Sequence, residues 1–333
     1  MKTILLLCGL VIGLNAYAAE PGYHVIKKLP LGGEGGWDYL TVDNAARRLY
    51  ISRSTHVMVV DLETDKLAGD IPNTSGVHGI AIAEELNRGF TSNGRANTST
   101  IFDLKTLKAI GEVKTGTNPD SILYDPASKK VFTFNGRSND TTVFDAATGE
   151  VAKTIKLGGK PEFCAANGKG KVYVNIENTS EVVEIDSQKL EVTKRFSLKP
   201  GEGPSGMGFD AEHQRIFSGC NNKMMTILNA ESGKVISTVA IGQGVDGNGF
   251  DPATGLAFSS NGDGTLTVVK ESSPGNFEVA ETVKTERGAR TMTIDPKTHN
   301  IYLPTAQFPP TPEGSRQRPA PIKDSFVILV VGK

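Results

Sequence analysis

The sequence predicts an all-β chain folded as a seven-bladed β-propeller of four-stranded blades, the last blade closed by the N-terminal strand. Three observations predict it. One type of turn recurs about every 42 residues, strand-like segments fill the intervals, and the two ends of the chain hold complementary parts of one blade.

The recurring turn reads "DLETDK" at Asp61, "DLKTLK" at Asp103, "DAATGE" at Asp145, "DSQKLE" at Asp186 and "NAESGK" at Asn229, at spacings of 42, 42, 41 and 43 residues. An Asp or Asn side chain at the head of such a turn can accept the backbone N–H groups just beyond it. A second turn recurs as "DNAARR", "DPASKK", "DAEHQR", "DPATGL" and "DPKTHN". Proline presets φ at its second position in three of these five copies.

Between the turns lie alternating apolar runs. In "KVYVNIENTSEVVEID", residues 171–186, Val172, Val174 and Ile176 alternate with other residues, and Val182, Val183 and Ile185 follow a polar patch. That is strand, tight turn, strand. A lone hairpin is marginal in water, so this one needs neighbours. Aligning the runs gives seven units starting near Trp37, Val77, Pro119, Pro161, Pro204, Val245 and Ala289. The seventh has "TMTID", "IYLPTA" and "SFVILVV" but no outer strand; "YHVIKKLPL", residues 23–31, is expected to supply it and so close the ring.

Composition agrees. The 333 residues carry 37 glycines and a net charge of −1, too balanced for a strongly basic nucleic-acid binder. Lys2, the short apolar run from Ile4 to Leu14 and the Ala16-Tyr17-Ala18 cleavage pattern mark residues 1–18 as an expected signal peptide. Residues 19–333 are then one domain, periplasmic or secreted, with no membrane span. The expected mature chain keeps Cys164 and Cys220, too few for a disulfide scaffold, and their pairing stays open.

The pair "KVYVNIEN", with the turn of "DAATGEVAKTIKLGGKP", resembles the YVTN-repeat (YncE-like) β-propeller family over nearly the whole expected mature chain. The resemblance implies a seven-bladed propeller exported to the bacterial periplasm, and no settled reaction. Blades 1, 6 and 7 depart from the repeat consensus. WD-repeat membership is disfavoured: Trp37-Asp38 opens an inner strand instead of ending a third one.

The first inward residues of the inner strands align as Asp38, His78, Asp120, Glu162, Ser205, Asp246 and Arg290. They are candidate ligand-binding residues around one channel mouth, with about −3 of charge if all four carboxylates ionise against Arg290. Such crowding raises carboxylate pKa values or recruits a cation, so a divalent ion at the channel is one expectation, although no cofactor is read from any local motif. Arg53, Arg95 and Arg137 follow the second strands of blades 1–3 and are expected to form an anion-binding crescent. The Asn-Gly pairs before the last two are read as turn chemistry. Cys220 follows another second strand and is a candidate reactive thiol. The proline-rich stretch 306–324 is expected to be a long blade 7 loop.

Several chemistries find no motif. "GPSGMG", residues 203–208, has Met207 where a nucleophile elbow needs glycine. No haem, P-loop or dinucleotide signature occurs. The leading expectation is a binding or scaffold protein, more a binder than an enzyme, taking a small molecule or a protein at the channel mouth. The alternatives are a metal-assisted hydrolase or lactonase at the acidic ring, sharing only architecture with calcium-dependent lactonase propellers, and nucleic-acid binding through the arginines.

Overall fold

The computed structural model describes residues 22–310 and 320–333. The expected signal peptide, and residues 311–319 of the blade 7 loop, lie outside them. Seven antiparallel sheets of four strands follow one another along the chain. Inner strands are Leu40–Asp43, Val77–Ala83, Pro119–Asp125, Pro161–Ala166, Pro204–Asp210, Val245–Asp251 and Thr293–Ile294. The first and last begin a few residues later than the alignment expected from Trp37 and Ala289. In blade 1 the residues before the ladder bond elsewhere: Asp38 N–H donates to Ser52 Oγ at 2.9 Å.

Blade 7 takes its outer strand from the other end of the chain. His24–Pro30 pairs with Val327–Gly332, from His24 opposite Gly332 to Pro30 opposite Val327. Leu29 on that strand is buried with Phe326, Ile328 and Val330 of blade 7 and with Leu49, Ile51 and Val60 of blade 1.

The core is a ring of seven sandwiches, one at each blade-to-blade boundary. The hairpin of residues 171–186 shows why a blade is apolar on both faces. Val172, Val174, Ile176, Val183 and Ile185 pack on Phe132, Phe134 and Val143 of blade 3. Tyr173 and Val182, on the opposite pleat, pack on Met207, Ile216 and Leu228 of blade 5. A face hidden on each side reads as a near-continuous apolar run, not strict alternation.

The turns are held as the sequence suggests. Asp145 Oδ1 accepts Ala147 N–H and Thr148 N–H, both at 2.9 Å. Asp61, Asp103, Asp186 and Asn229 make the same pair of bonds two and three residues ahead. These bonds are the first cause holding the four carboxyls below the usual range.

Candidate functional site: the channel mouth

In five blades the inner strand breaks register just after its first residue. That irregularity aims the next side chain, His78, Asp120, Glu162, Ser205 or Asp246, out of the ladder and into the channel. Asp38 and Arg290 lie in the loops leading to the first and last inner strands. Side chains of the preceding blade fix the backbone at five of these positions. Ser92 bonds the Asp120 carbonyl, Ser121 that of Glu162, Asn175 that of Ser205, Ser260 that of Arg290, and Thr291 that of Asp38. Sequence reasoning missed these five residues. Ser121 and Thr291 directly follow aligned positions, and Ser92, Asn175 and Ser260 share the penultimate place of their second strands; those two recurrences are the signal that could have found them.

The candidate residues meet around one opening. His78 Nδ1 bonds Asp38 Oδ2 at 2.6 Å and lies 3.6 Å from Asp120 Oδ1. Ser205 Oγ donates to Asp246 Oδ1 at 2.8 Å, and Arg290 Nε reaches Asp246 Oδ2 at 3.2 Å. Glu162 pairs at 2.6 Å with Lys160, which also holds Glu177 at 2.5 Å. Lys160 is a cation the alignment missed, because it stands two residues before its aligned position. Four carboxylates therefore face Arg290, Lys160 and a protonated His78, so the mouth is far less acidic than the −3 expected.

The electrostatics follow from this packing. Burial works against a charged His78, but the Asp38 hydrogen bond and the charges of Asp120, Asp38 and Glu162 outweigh it and lift the ring to about 9. Burial, with the nearby Asp38 charge, raises Asp120 to about 6. Burial and Asp120 also push Glu162 upward, against the pull of Lys160. Asp38, His78 and Asp120 offer ligand atoms within 4.8 Å of one another. His78 Nδ1 is engaged by Asp38, and in the charged form the imidazolium itself balances these carboxylates.

Tyr39 and Phe163 were not anticipated. Their rings, from blades 1 and 4, meet across the channel with centroids 4.4 Å apart. This contact narrows the channel. Burial, with the nearby charge of Asp120, pushes the Tyr39 phenol well above its usual range.

Arg53 is not part of a surface crescent. It is fully buried, and its guanidinium donates to the carbonyls of Gly32, Glu34 and Gly35 at 2.9, 3.0 and 3.2 Å. Blade 1 adjoins the closing strand, so its loop turns inward to bind that strand's exit. Arg95 and Arg137 do stay exposed, on equivalent loops of blades 2 and 3. They line one cavity of about 550 Å³ together with Trp37, Asp38, His78 and Asn118. The Asn-Gly pairs before them are not simple turn signals. Asn93 and Asn135 are buried strand ends whose amides donate to Thr98 and Thr100, and to Asp140 and Thr142.

Cys220 is not an exposed, reactive thiol. It is fully buried beside Thr226 and Ser218, and burial pushes its thiol up to about 11, the opposite of activation. Cys164 is pushed up to about 12 by burial, and the two cysteines are unpaired. At the base of the blade 7 loop, Ile322 N–H donates to the Gln307 carbonyl at 2.8 Å. No helix among the described residues is long and apolar enough to cross a membrane.

Fold and ring together define a seven-bladed β-propeller with a polar mouth and a narrowed channel. The solved structure of U3-55K is similar over 92% of this chain and 99% of its own, with a TM-score of 0.79 and 9% identity. The crystal structure of the RRP9 WD40 repeats is similar over 92% of this chain and 97% of its own, with a TM-score of 0.77 and 9% identity. At that identity the likeness is one of fold. No family model matches the chain, and no curated protein matches it.

Proposed function

We propose that this chain is an exported binding propeller of the YVTN-repeat (YncE-like) kind, which takes a small molecule or a partner's loop in the cavity over blades 1–3. One observation carries the reading. Two exposed arginines on equivalent loops, with no side-chain partner among the described residues, face the same cavity as the Asp38–His78 pair. Arg47 is bonded to Asp295 and Arg215 to Glu271; Arg287 is the other exposed arginine among the described residues without a side-chain partner, and it lines a separate cavity over blades 6 and 7. A concave site with few convergent polar groups is the usual form of a ligand pocket.

Export rests on residues 1–18, and sequencing the N-terminus of the secreted protein tests it. The nucleic-acid reading loses support with Arg53 buried, since two arginines make a short track for a polyanion. A hydrolase reading needs a divalent ion that displaces the proton shared by His78 and Asp38; metal analysis of the purified protein decides it.

The cavity reading is tested by a thermal-shift screen of neutral, cationic and anionic small molecules. Trp37 is the chain's one tryptophan and lines both this cavity and the neighbouring one beside Arg53 and Phe326, so its emission reports binding at either, and loss of the signal in Arg95→Ala and Arg137→Ala assigns a hit to this cavity. Stabilising ligands should shift that emission. Hits that all leave it unchanged would place binding elsewhere.

A further inference from the structure

We propose that the blade 1–3 cavity is an oxyanion site, in which Arg95, Arg137 and His78 together hold the phosphate or carboxylate group of a small ligand beside Trp37. This rests on the cavity reading above and adds the chemical class of what enters.

The first support is how the chain uses its guanidinium groups. Arg47, Arg48, Arg53, Arg88, Arg195, Arg215 and Arg290 each bond a carboxylate or a carbonyl. Arg95, Arg137 and Arg287 bond none among the described residues; Arg95 and Arg137 open together on this cavity, and Arg287 stands alone on the one over blades 6 and 7. A guanidinium is a planar fork suited to two oxygens of one oxyanion. Two such forks on adjacent blades can share one group.

The second support is that the loops carrying them are built into place. Gly94 N–H donates to the Gly76 carbonyl, and Gly136 N–H to the Asn118 carbonyl, each at 2.8 Å. Arg137 N–H is held by the Thr117 carbonyl at 3.2 Å. Gly76, at φ +71°, lies so close to Arg95 that an added Cβ would stand 2.5 Å from its backbone nitrogen. An added Cβ on Gly94 would stand 2.7 Å from His78 Nε2. Two glycines thus press the Arg95 loop against the outer edge of the imidazole.

The third support is the direction of His78. Nδ1 is committed to Asp38, which leaves Nε2 as the ring's free edge. Asp120 and Glu162 are not among the residues lining the cavity; Asp38 does line it, beside Arg95 and Arg137, with its Oδ2 engaged by His78 Nδ1. The carboxylates hold the ring, and the cations meet the ligand. Trp37 adds an apolar wall.

The test uses the full chain and two probes, inorganic phosphate and succinate, titrated at matched ionic strength and read by Trp37 emission and calorimetry. Saturable binding of either probe is expected, and the preferred probe tells phosphate from carboxylate. Arg95→Ala and Arg137→Ala should each weaken it at least tenfold without altering the melting temperature, since both side chains are exposed. Arg137→Lys should recover part of the loss. His78→Gln, which keeps a neutral donor, should weaken binding by less than either alanine. Arg287→Ala, in the neighbouring cavity over blades 6 and 7, should leave it unchanged. Binding of neither probe, while a neutral or cationic molecule shifts Trp37 emission, overturns the oxyanion assignment and leaves the cavity reading standing. Silence of Trp37 to every class removes both. Probe binding that survives both arginine variants also overturns the assignment.

Discussion

The guanidinium of Arg53 lies over the ring of Phe326, its Cζ 3.8 Å from the ring centre. Arg53 follows the second strand of blade 1, and Phe326 precedes the third strand of blade 7. The pair therefore crosses the seam where the propeller is closed, while the same guanidinium binds three carbonyls of the chain leaving the closing strand. Burial lowers Arg53 to about 10, still charged at neutral pH. Charged hydrogen bonds in such a setting contribute roughly 1.5–3 kcal/mol each when one partner is lost, with large overlap between them. Arg53→Ala should cost about 2–4 kcal/mol in chemical denaturation. Arg53→Lys should recover only part, because one ammonium cannot span three acceptors. Phosphate or succinate binding should be unaffected, which separates this arginine from Arg95 and Arg137. A stable, fully folded Arg53→Ala variant would contradict the seam role.

The closing strand makes a second prediction. Residues 22–31 bury Tyr23 against Phe258 of blade 6, with ring centroids 5.4 Å apart, and bury Leu29 between blades 7 and 1. Deleting these residues opens both boundaries at once. Global unfolding should shift and lose cooperativity, well beyond fraying of one strand. The milder Leu29→Ala should cost about 2–4 kcal/mol, typical for a buried leucine. An unchanged, cooperative transition in the deletion variant would show that the ring does not depend on closure.

The pH dependence has a fixed sign. His78 sits near 9 in the fold and near 6.5 in an unfolded chain. Its stabilisation is complete below about 6.5 and is lost as pH rises through 9. Glu162 and Asp120 are also raised, so each loses stability as pH rises from its ordinary value to its folded one, the same direction. The melting temperature should therefore fall between pH 6.5 and 9. NMR titration of the His78 ring should place its midpoint well above that of a free histidine, and Asp38→Asn should lower it. A His78 midpoint at the ordinary value would undo the charge assignment at the mouth.

Much of this architecture was legible because it rests on local chemistry repeated at a fixed period. The Asx turns are bonds spanning two or three residues, so Asp61, Asp103 and Asp145 announce themselves in any window. The aligned ring was legible for the same reason, since Asp38, His78 and Asp120 occupy equivalent places. What stayed hidden depends on blade neighbours or on the seam. Arg53 keeps the 42-residue spacing of Arg95 and Arg137 and lacks only the Asn-Gly that precedes them, a difference that says nothing of burial; the closing strand, adjacent to blade 1, pulls it inward. Cys220 resembled an exposed loop thiol because one sequence position separates a strand end from its turn. Lys160 escaped because strict alignment weighs positions, whereas a lysine's length lets it reach Glu162 from two residues away. Tyr39 and Phe163 meet across the channel, a contact that no period encodes.

Gly94 and Gly136 offer the sharpest comparison in the site, since they hold equivalent places before Arg95 and Arg137. Neither has the positive φ that would demand glycine, so alanine is tolerated by the backbone at both. The surroundings differ. An added Cβ at Gly94 would stand 2.7 Å from His78 Nε2 and 2.8 Å from Cδ2, while at Gly136 the nearest atom would be 3.5 Å away. The first distance forces the imidazole to move; the second is ordinary contact. Moving His78 strains its bond to Asp38, the main force that keeps the ring charged. Gly94→Ala should therefore lower the His78 titration midpoint, cost about 1–3 kcal/mol by overpacking, and weaken oxyanion binding. Gly136→Ala should do none of these. In a His78→Ala background the clash with the imidazole is gone and only Asn118 Oδ1, 3.1 Å from the added Cβ, must give, so Gly94→Ala should cost less there, and the double-mutant cycle should return a coupling for most of the loss in the single variant. Additive costs in that cycle would mean that Gly94 does not act through His78.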